Sequence, residues 1–190
     1  MGVSQLTVVG SAEKELFDFD ARTGILTVPE CDSYEQLPAK VVSAMFLLAL
    51  AGSVEAVLKV DDDHRLVNAK QLVDTFGTLP RKCPALSGHV IDIGTLGANA
   101  RTWHFGKTRD PALARTPYTL PGTTKYVEGG KGYFINSQGL KLLAWSYVYF
   151  ERYLATSLAE DVTVSDLIER QGGRVIPTNM KRIIRTVDEY

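Results

Sequence analysis

The chain has 190 residues and a mass of 20.9 kDa, with 45% hydrophobic and 23% charged residues, an ordinary globular composition that excludes disordered and fibrous classes. Its 21 basic and 22 acidic residues leave a net charge of -1 and a pI near 6.3, which removes the electrostatic footprint of a protein that coats nucleic acid. At this length a single domain over residues 1–190 buries roughly 70% of the surface its unfolded chain exposes, enough for a core without disulfides or structural metal.

Met1 to Gly10 lacks a basic start and a long apolar core, so no signal peptide is expected. Gln5 to Gly10 reads as a strand, and Gly24 to Val28 as a second one ending at Pro29. Cys31 and Cys83 have no Cys-x-x-Cys spacing and are expected to be buried free thiols. Apolar residues from Val41 to Ala49 recur at helical spacing, predicting a helix from about Ser33 to Ala51. Ser33-x-x-Gln36 fits a capping box, but Pro38 would then fall past the first turn, so Pro38 is the alternative start. Val41 to Val60 is long and apolar, yet Glu55 and Lys59 interrupt it and Gly52-Ser53 divides it. It reads as helix, turn and strand rather than a membrane span.

Glu55 to Val60 is β-branched and predicts a central strand covered on both faces, stopping at Asp61-Asp62-Asp63. Asn68 to Phe76 reads as a helix closed by Gly77 and Pro80, with Asp63 or Asn68 as its cap, and Ser87 to Ile93 as a strand. Pro111, Pro117 and Pro121 make Asn99 to Thr123 loop-rich, with a short strand expected at Trp103-His104-Phe105. Tyr133 to Ile135 leads into a helix from Ser137 to Leu154; a further helix, Glu160 to Arg170, ends at Gly172-Gly173. Val175-Ile176 and Ile183-Ile184 are strand-like. This alternation of strands and helices predicts an α/β fold.

Three places carry candidate chemistry. Extended chain points Asp61 and Asp63 to one side of the strand end, where hard oxygen ligands suit Mg²⁺ or Mn²⁺ and where α/β sheets bind ligands. The plain alternative is a solvated acidic turn. Glu160-Asp161 opens a helix, where unpaired amides and the positive dipole end predict a lowered carboxylate pKa; Ser157-x-x-Glu160 would equally serve as a capping box. Gly129-Gly130-Lys131-Gly132 lacks the Walker spacing and reads as a tight turn that brings backbone close to a ligand. His64, His89 and His104 share no ligand spacing, and no hydrolase, zincin or dinucleotide signature occurs.

In order, Asp32-Ser33-Tyr34-Glu35-Gln36-Leu37-x-x-Lys40, Val57-Leu58-Lys59-Val60-Asp61-Asp62-Asp63-x-x-Leu66-Val67-Asn68, Lys125-Tyr126-x-x-Gly129-Gly130-Lys131-Gly132-Tyr133-x-x-x-Ser137 and Glu160-Asp161-Val162-x-Val164 resemble the β1,3-galactosyltransferase and N-acetylglucosaminyltransferase family, to which Fringe is related. The resemblance runs from Asp32 to Gly173. It implies a GT-A fold, with a mixed, mostly parallel sheet flanked by helices, and inverting transfer of a sugar from a nucleotide-diphosphate donor, usually a UDP-sugar with Mn²⁺ or Mg²⁺. By that resemblance Asp61 and Asp63 hold the metal and Asp161 is the catalytic base. Asp32, Tyr34, Lys40, Lys59, Asp62, Gly129 and Gly130 then bind the donor, and a glycan or glycoprotein is the acceptor, with no nucleic acid and no membrane segment in this chain.

The chain departs from the pattern in several places. The family's arginine-rich first strand is missing, no histidine follows His104 to complete the metal site, leaving Asn179 as a stand-in, Ser165 stands where glycine is usual, and Pro38 where threonine is common. Family members in animals are usually held in the Golgi by an N-terminal anchor, and with no such segment read in this sequence the expectation is a soluble enzyme of unassigned compartment, cytoplasmic or a domain excised from a longer, possibly Golgi, protein. A non-catalytic sugar-nucleotide or glycan-binding module on the same scaffold, and metal-dependent nucleotide cleavage, are the alternatives.

Overall fold

The computed structural model describes residues 4–95, 102–118 and 125–187. Strands β1 (Thr7–Gly10), β2 (Asp18–Asp20) and β3 (Ile25–Val28) form a small sheet in which β1 runs parallel and β2 antiparallel to β3. The two apolar strands are those the sequence predicts. Strand β2 has one apolar residue, Phe19, between two aspartates, too short a pattern to read as a strand, and all three of its residues are exposed.

Helix α1 (Leu37–Leu50) begins at the later of its two expected starts, with Pro38 in its first turn, where a missing N–H costs nothing. Ser33 still accepts the Gln36 N–H at 3.3 Å, so the expected box survives as a turn ahead of the helix. Strand β4 (Ala56–Lys59) follows, then β5 (His64–Leu66) and α2 (Ala69–Thr78), capped by Asn68 through a 2.9 Å bond from the Gln71 N–H.

The strand expected over Ser87 to Ile93 divides into β6 (Ala85–Gly88) and β7 (Val90–Asp92), which join different partners. At Gly88, where a Cβ would meet the Tyr133 Cβ at 3.1 Å, the chain leaves the main sheet. Strand β7 then pairs with β8 (Lys125–Val127). Trp103-His104-Phe105 is a turn, not a strand: the buried His104 ring lies 2.9 Å through Nε2 from both the Leu113 and Thr116 carbonyls. Those carbonyls hold the segment folded back on itself.

Strand β9 (Tyr133–Asn136) feeds α3 (Ser137–Tyr149). The single helix expected as far as Leu154 breaks at Phe150, whose ψ of 29° is non-helical, and resumes as α4 (Glu151–Thr156). Helix α5 (Glu160–Arg170) has the expected bounds, and Gly172 supplies the positive φ of 81° that turns the chain into β10 (Arg174–Pro177). Strand β11 (Ile184–Thr186) pairs antiparallel with β5.

The main sheet has the order β10-β6-β9-β4, with β4, β6 and β10 running one way and β9 against them. The fold is therefore mixed α/β. Its centre is β6 and β9, both buried along their whole length, whereas β4, expected in the middle, is an outer strand of this sheet and only half-buried. Along β9 the two-residue period separates two cores: Tyr133 and Ile135 join Val42, Met45, Leu143 and Ile168 of α1, α3 and α5, while Phe134 packs with Leu72, Met180 and Ile183.

Cys31 is exposed and Cys83 half-buried, so the expectation of buried thiols fails; both lie in loops outside these two cores. Among the described residues, no helix is long and apolar enough to cross a membrane.

Candidate functional site

The carboxyl ends of β4 and β6 meet the start of β9, since Tyr133 pairs with Lys59 on one side and Gly88 on the other. The N-terminus of α5 closes the same corner. Lys59 lies with its ammonium 5.7 Å from the centre of the Tyr133 ring, 2.5 Å from Asp61 Oδ1 and 3.3 Å from Glu160 Oε2. The Tyr133 hydroxyl donates to the other Glu160 oxygen. Tyr133 is fully buried, and the side chains of Lys59 and Glu160 are only 12% and 4% exposed, so this is an internal ion pair with a solvent-facing branch at Asp61, 41% exposed. Burial pushes the Glu160 carboxyl up to about 7 against the pull of Lys59, while Glu160 and Asp61 outweigh burial at Lys59 and keep its ammonium charged.

The capping box expected at Ser157-x-x-Glu160 does not form. Ala159 occupies the cap position, Ser157 donates to the Tyr153 carbonyl at 2.7 Å, and Glu160 turns inward to Tyr133 and Lys59. Asp161 accepts the Val162 N–H at 2.8 Å and the Gly129 N–H at 2.9 Å. Its carboxyl is nonetheless raised, not lowered as the helix start predicts, because burial outweighs those two bonds.

The glycine turn is shaped by this pair of acids. A Cβ on Gly129 would lie 3.0 Å from Glu160 Oε2 and 3.1 Å from the Asp161 Cβ, so only glycine brings the backbone to Asp161. Gly130, by contrast, is exposed with open space where its Cβ would point. Beyond the turn, Glu128 Oε2 binds Lys131 at 2.6 Å and His89 at 2.7 Å, fixing the turn to the end of β6. Ser165, where the resembled family has glycine, accepts the buried Val127 N–H at 3.1 Å and donates to the Asp161 carbonyl at 2.7 Å. That one hydroxyl ties β8 to the first turn of α5.

The N-terminal candidates divide. Tyr34 reaches the acid pair: burial, then the charge of Asp161, pushes its phenol up to about 12, with Trp103 donating a hydrogen bond and the Lys107 ammonium 5.8 Å from its ring centre. Tyr126 is raised to about 12 for the same two reasons, so two phenols flank Asp161. Asp32 and Lys40 form an ion pair with each other at 2.6 Å. Glu35 anchors the segment after Trp103, accepting from the Thr108 hydroxyl and, at 2.7 Å, the Arg109 N–H.

The aspartate run departs from the simple strand rule. The chain turns after Asp61, whose carbonyl accepts the His64 N–H at 3.2 Å, so the two-residue period does not carry through to Asp63. Asp61 faces Lys59, Asp63 lies 2.6 Å from His64 Nδ1, and Asp62 is exposed. Among the described residues, no three His, Cys, Asp or Glu side chains gather as a metal site. Asn179, exposed at the start of a short helical turn, makes no side-chain cap bond there. The donor set fits a hard divalent cation only in part: Asp61 already carries a positive charge, the Lys59 ammonium, and phosphate oxygens would have to supply most of the remaining ligands.

The resembled motifs contain Tyr126 and Tyr133 but assign neither a partner, and the sequence leaves Glu160 open between a cap and a member of the acid pair. Tyr133 follows directly on the glycine turn and Glu160 precedes Asp161, but only the β4–β9 register brings both against Lys59. No protein-family model matches the chain, and no curated protein matches it.

Proposed function

We propose that this chain is an inverting, metal-dependent glycosyltransferase of GT-A type, moving a sugar from a nucleotide-diphosphate donor, a UDP-sugar by preference, to an acceptor hydroxyl. The observation that carries the reading is the meeting of Asp161, the Gly129 turn and the Lys59–Asp61 end of β4 at one corner of the sheet. Ligands of open α/β sheets bind at such strand ends. A divalent cation held at Asp61 together with the donor's own phosphate oxygens would neutralise charge gathering on the departing diphosphate.

Asp161 supplies the other half of the chemistry. Its oxygens are held in place by the Gly129 and Val162 N–H groups and each retains a lone pair, so it can receive the proton of an acceptor hydroxyl while that oxygen attacks the anomeric carbon. Burial, by raising its basicity, moves it toward the pKa at which a general base is most effective. The open face of Gly130 leaves room for the acceptor.

The test is turnover with a panel of nucleotide sugars and Mn²⁺, comparing wild type with Asp161→Asn. The two N–H groups bond to different oxygens of Asp161, so asparagine can accept only one of them and cannot take a proton: stability should fall by about 1–3 kcal/mol with the fold and donor binding retained, while transfer falls by at least about a hundredfold. Sugar transfer by Asp161→Asn at the wild-type rate would remove Asp161 as the base. Donor binding without transfer by the wild type would instead identify a binding module.

A further inference from the structure

The acidic end of β4 carries its own cation. Lys59 is held between two carboxylates of unlike character: Asp61, at 2.5 Å, is on the solvent side, and Glu160, at 3.3 Å, is buried and fixed by the Tyr133 hydroxyl. The Lys59 ammonium lies 5.7 Å from the centre of the Tyr133 ring and its side chain is only 12% exposed, so it is held mostly out of bulk water. It can, however, shift from the nearer carboxylate to the farther one without leaving the pair. Resting on the reading above, that Asp61 binds the donor's divalent cation, we propose that Lys59 is a placeholder for that cation: it occupies the Asp61 carboxylate in the unliganded chain and withdraws onto Glu160 when the metal arrives.

The charges of Asp61, Lys59 and Glu160 suit such an arrangement. Were Lys59 absent, Asp61 and Glu160 would face each other with no charge between them, and the buried member would be forced to take up a proton. Were Glu160 absent, Lys59 would have only Asp61, and a divalent cation on Asp61 would lie beside an ammonium with nowhere to go. Glu160 therefore acts as a positioning residue for Lys59, and Lys59 as a competitor of the metal for Asp61. The cation then binds weakly until diphosphate oxygens add their charge, which keeps metal and donor uptake linked.

The two neighbours of Asp61 consequently have opposite effects on metal affinity. Binding of Mn²⁺ alone, and of Mn²⁺ with UDP, is measured by calorimetry and by the loss of the free Mn²⁺ paramagnetic resonance signal for wild type, Lys59→Met and Glu160→Gln, each first shown to melt cooperatively. Lys59→Met should bind Mn²⁺ without nucleotide about tenfold more tightly than wild type, and Glu160→Gln several-fold more weakly. If Lys59→Met does not fold, Glu160→Gln alone decides: equal or tighter Mn²⁺ binding overturns the proposal. Lys59→Met binding Mn²⁺ no more tightly, in a chain whose wild type does bind Mn²⁺ with UDP, overturns the placeholder and leaves the glycosyltransferase reading standing. Absence of Mn²⁺ binding by wild type and Lys59→Met even with UDP overturns both.

Discussion

Glu160 is the residue whose environment departs furthest from its local sequence. With a folded pKa of about 7 against an ordinary 4.5, it binds its proton more tightly in the fold than in the unfolded chain. The stability it contributes is therefore fully present below about pH 4.5 and is lost as pH rises through 7, a span worth of order 3 kcal/mol at this buried position. Burial and the charges of Asp161 and Asp61 produce the shift, and Lys59 opposes it, as does any hydroxyl that donates to the carboxylate, here that of Tyr133. Glu160→Gln keeps the partner of Tyr133 and removes the titration. Urea denaturation at pH 4.5 and at pH 7 should show the wild type losing more stability between the two than the variant does; equal losses would mean that Glu160 is ionised throughout. That inward turn was not legible in the chain, since Ser157-x-x-Glu160 is a competent local signal and loses only because a buried ammonium and phenol lie on the other side.

At the scale of elements, legibility followed the reach of the signal. Helix α5 has acids in its first turn and a glycine just past its end, all local, and its bounds were readable. Helix α2 was readable for the same reason, through Asn68. The division of β6 from β7 was not, because Val90 and Ile91 are as strand-like as Leu86, and only the crowding of Gly88 against β9 determines where the ladder changes partner. Asn136 shows how such elements are joined. Its carbonyl accepts the Gly139 N–H of α3 at 2.8 Å and the Ala85 N–H of β6 at 3.0 Å, and its amide donates to the carbonyls of Pro80 and Cys83. Asn136→Ala should therefore cost about 2–4 kcal/mol, more than a helix cap alone, because buried backbone groups of three segments lose their partner. Asn136→Asp retains both acceptor bonds but sets its charge against two carbonyls. Chemical denaturation should rank alanine and aspartate together, well below wild type; an aspartate variant as stable as wild type would show that the amide's donor bonds contribute nothing.

For the whole molecule, the class α/β and the order of most elements were legible, while the order of strands in space was not. A β-branched run such as Ala56 to Val60 is apolar enough for the middle of a sheet, yet among the described residues β4 pairs with β9 alone. The candidate site was legible as a set of segments: Tyr34, Lys59, the glycine turn and Asp161 converge. Asp32 with Lys40, and Asp63 with His64, pair among themselves. Pairing choices of that kind depend on which charge is nearest after folding, and no spacing in the chain records it.

The outer position of β4 has a kinetic side. A strand held along one edge opens by local fluctuations far less costly than global unfolding. When β4 lifts from β9, it takes Lys59 and Asp61 away from Glu160 and Tyr133, which belong to the buried interior. The corner is thus assembled from one part that breathes and another that does not. Amide hydrogens of Ala56 to Lys59 should exchange with deuterium faster than those of Tyr133 to Asn136 that point into the β6 ladder, and adding Mn²⁺ with UDP should slow the first group while leaving the second almost unchanged. Uniform slowing across both strands would mean that the sheet opens as one unit, and that the site is as permanent as the core beneath it.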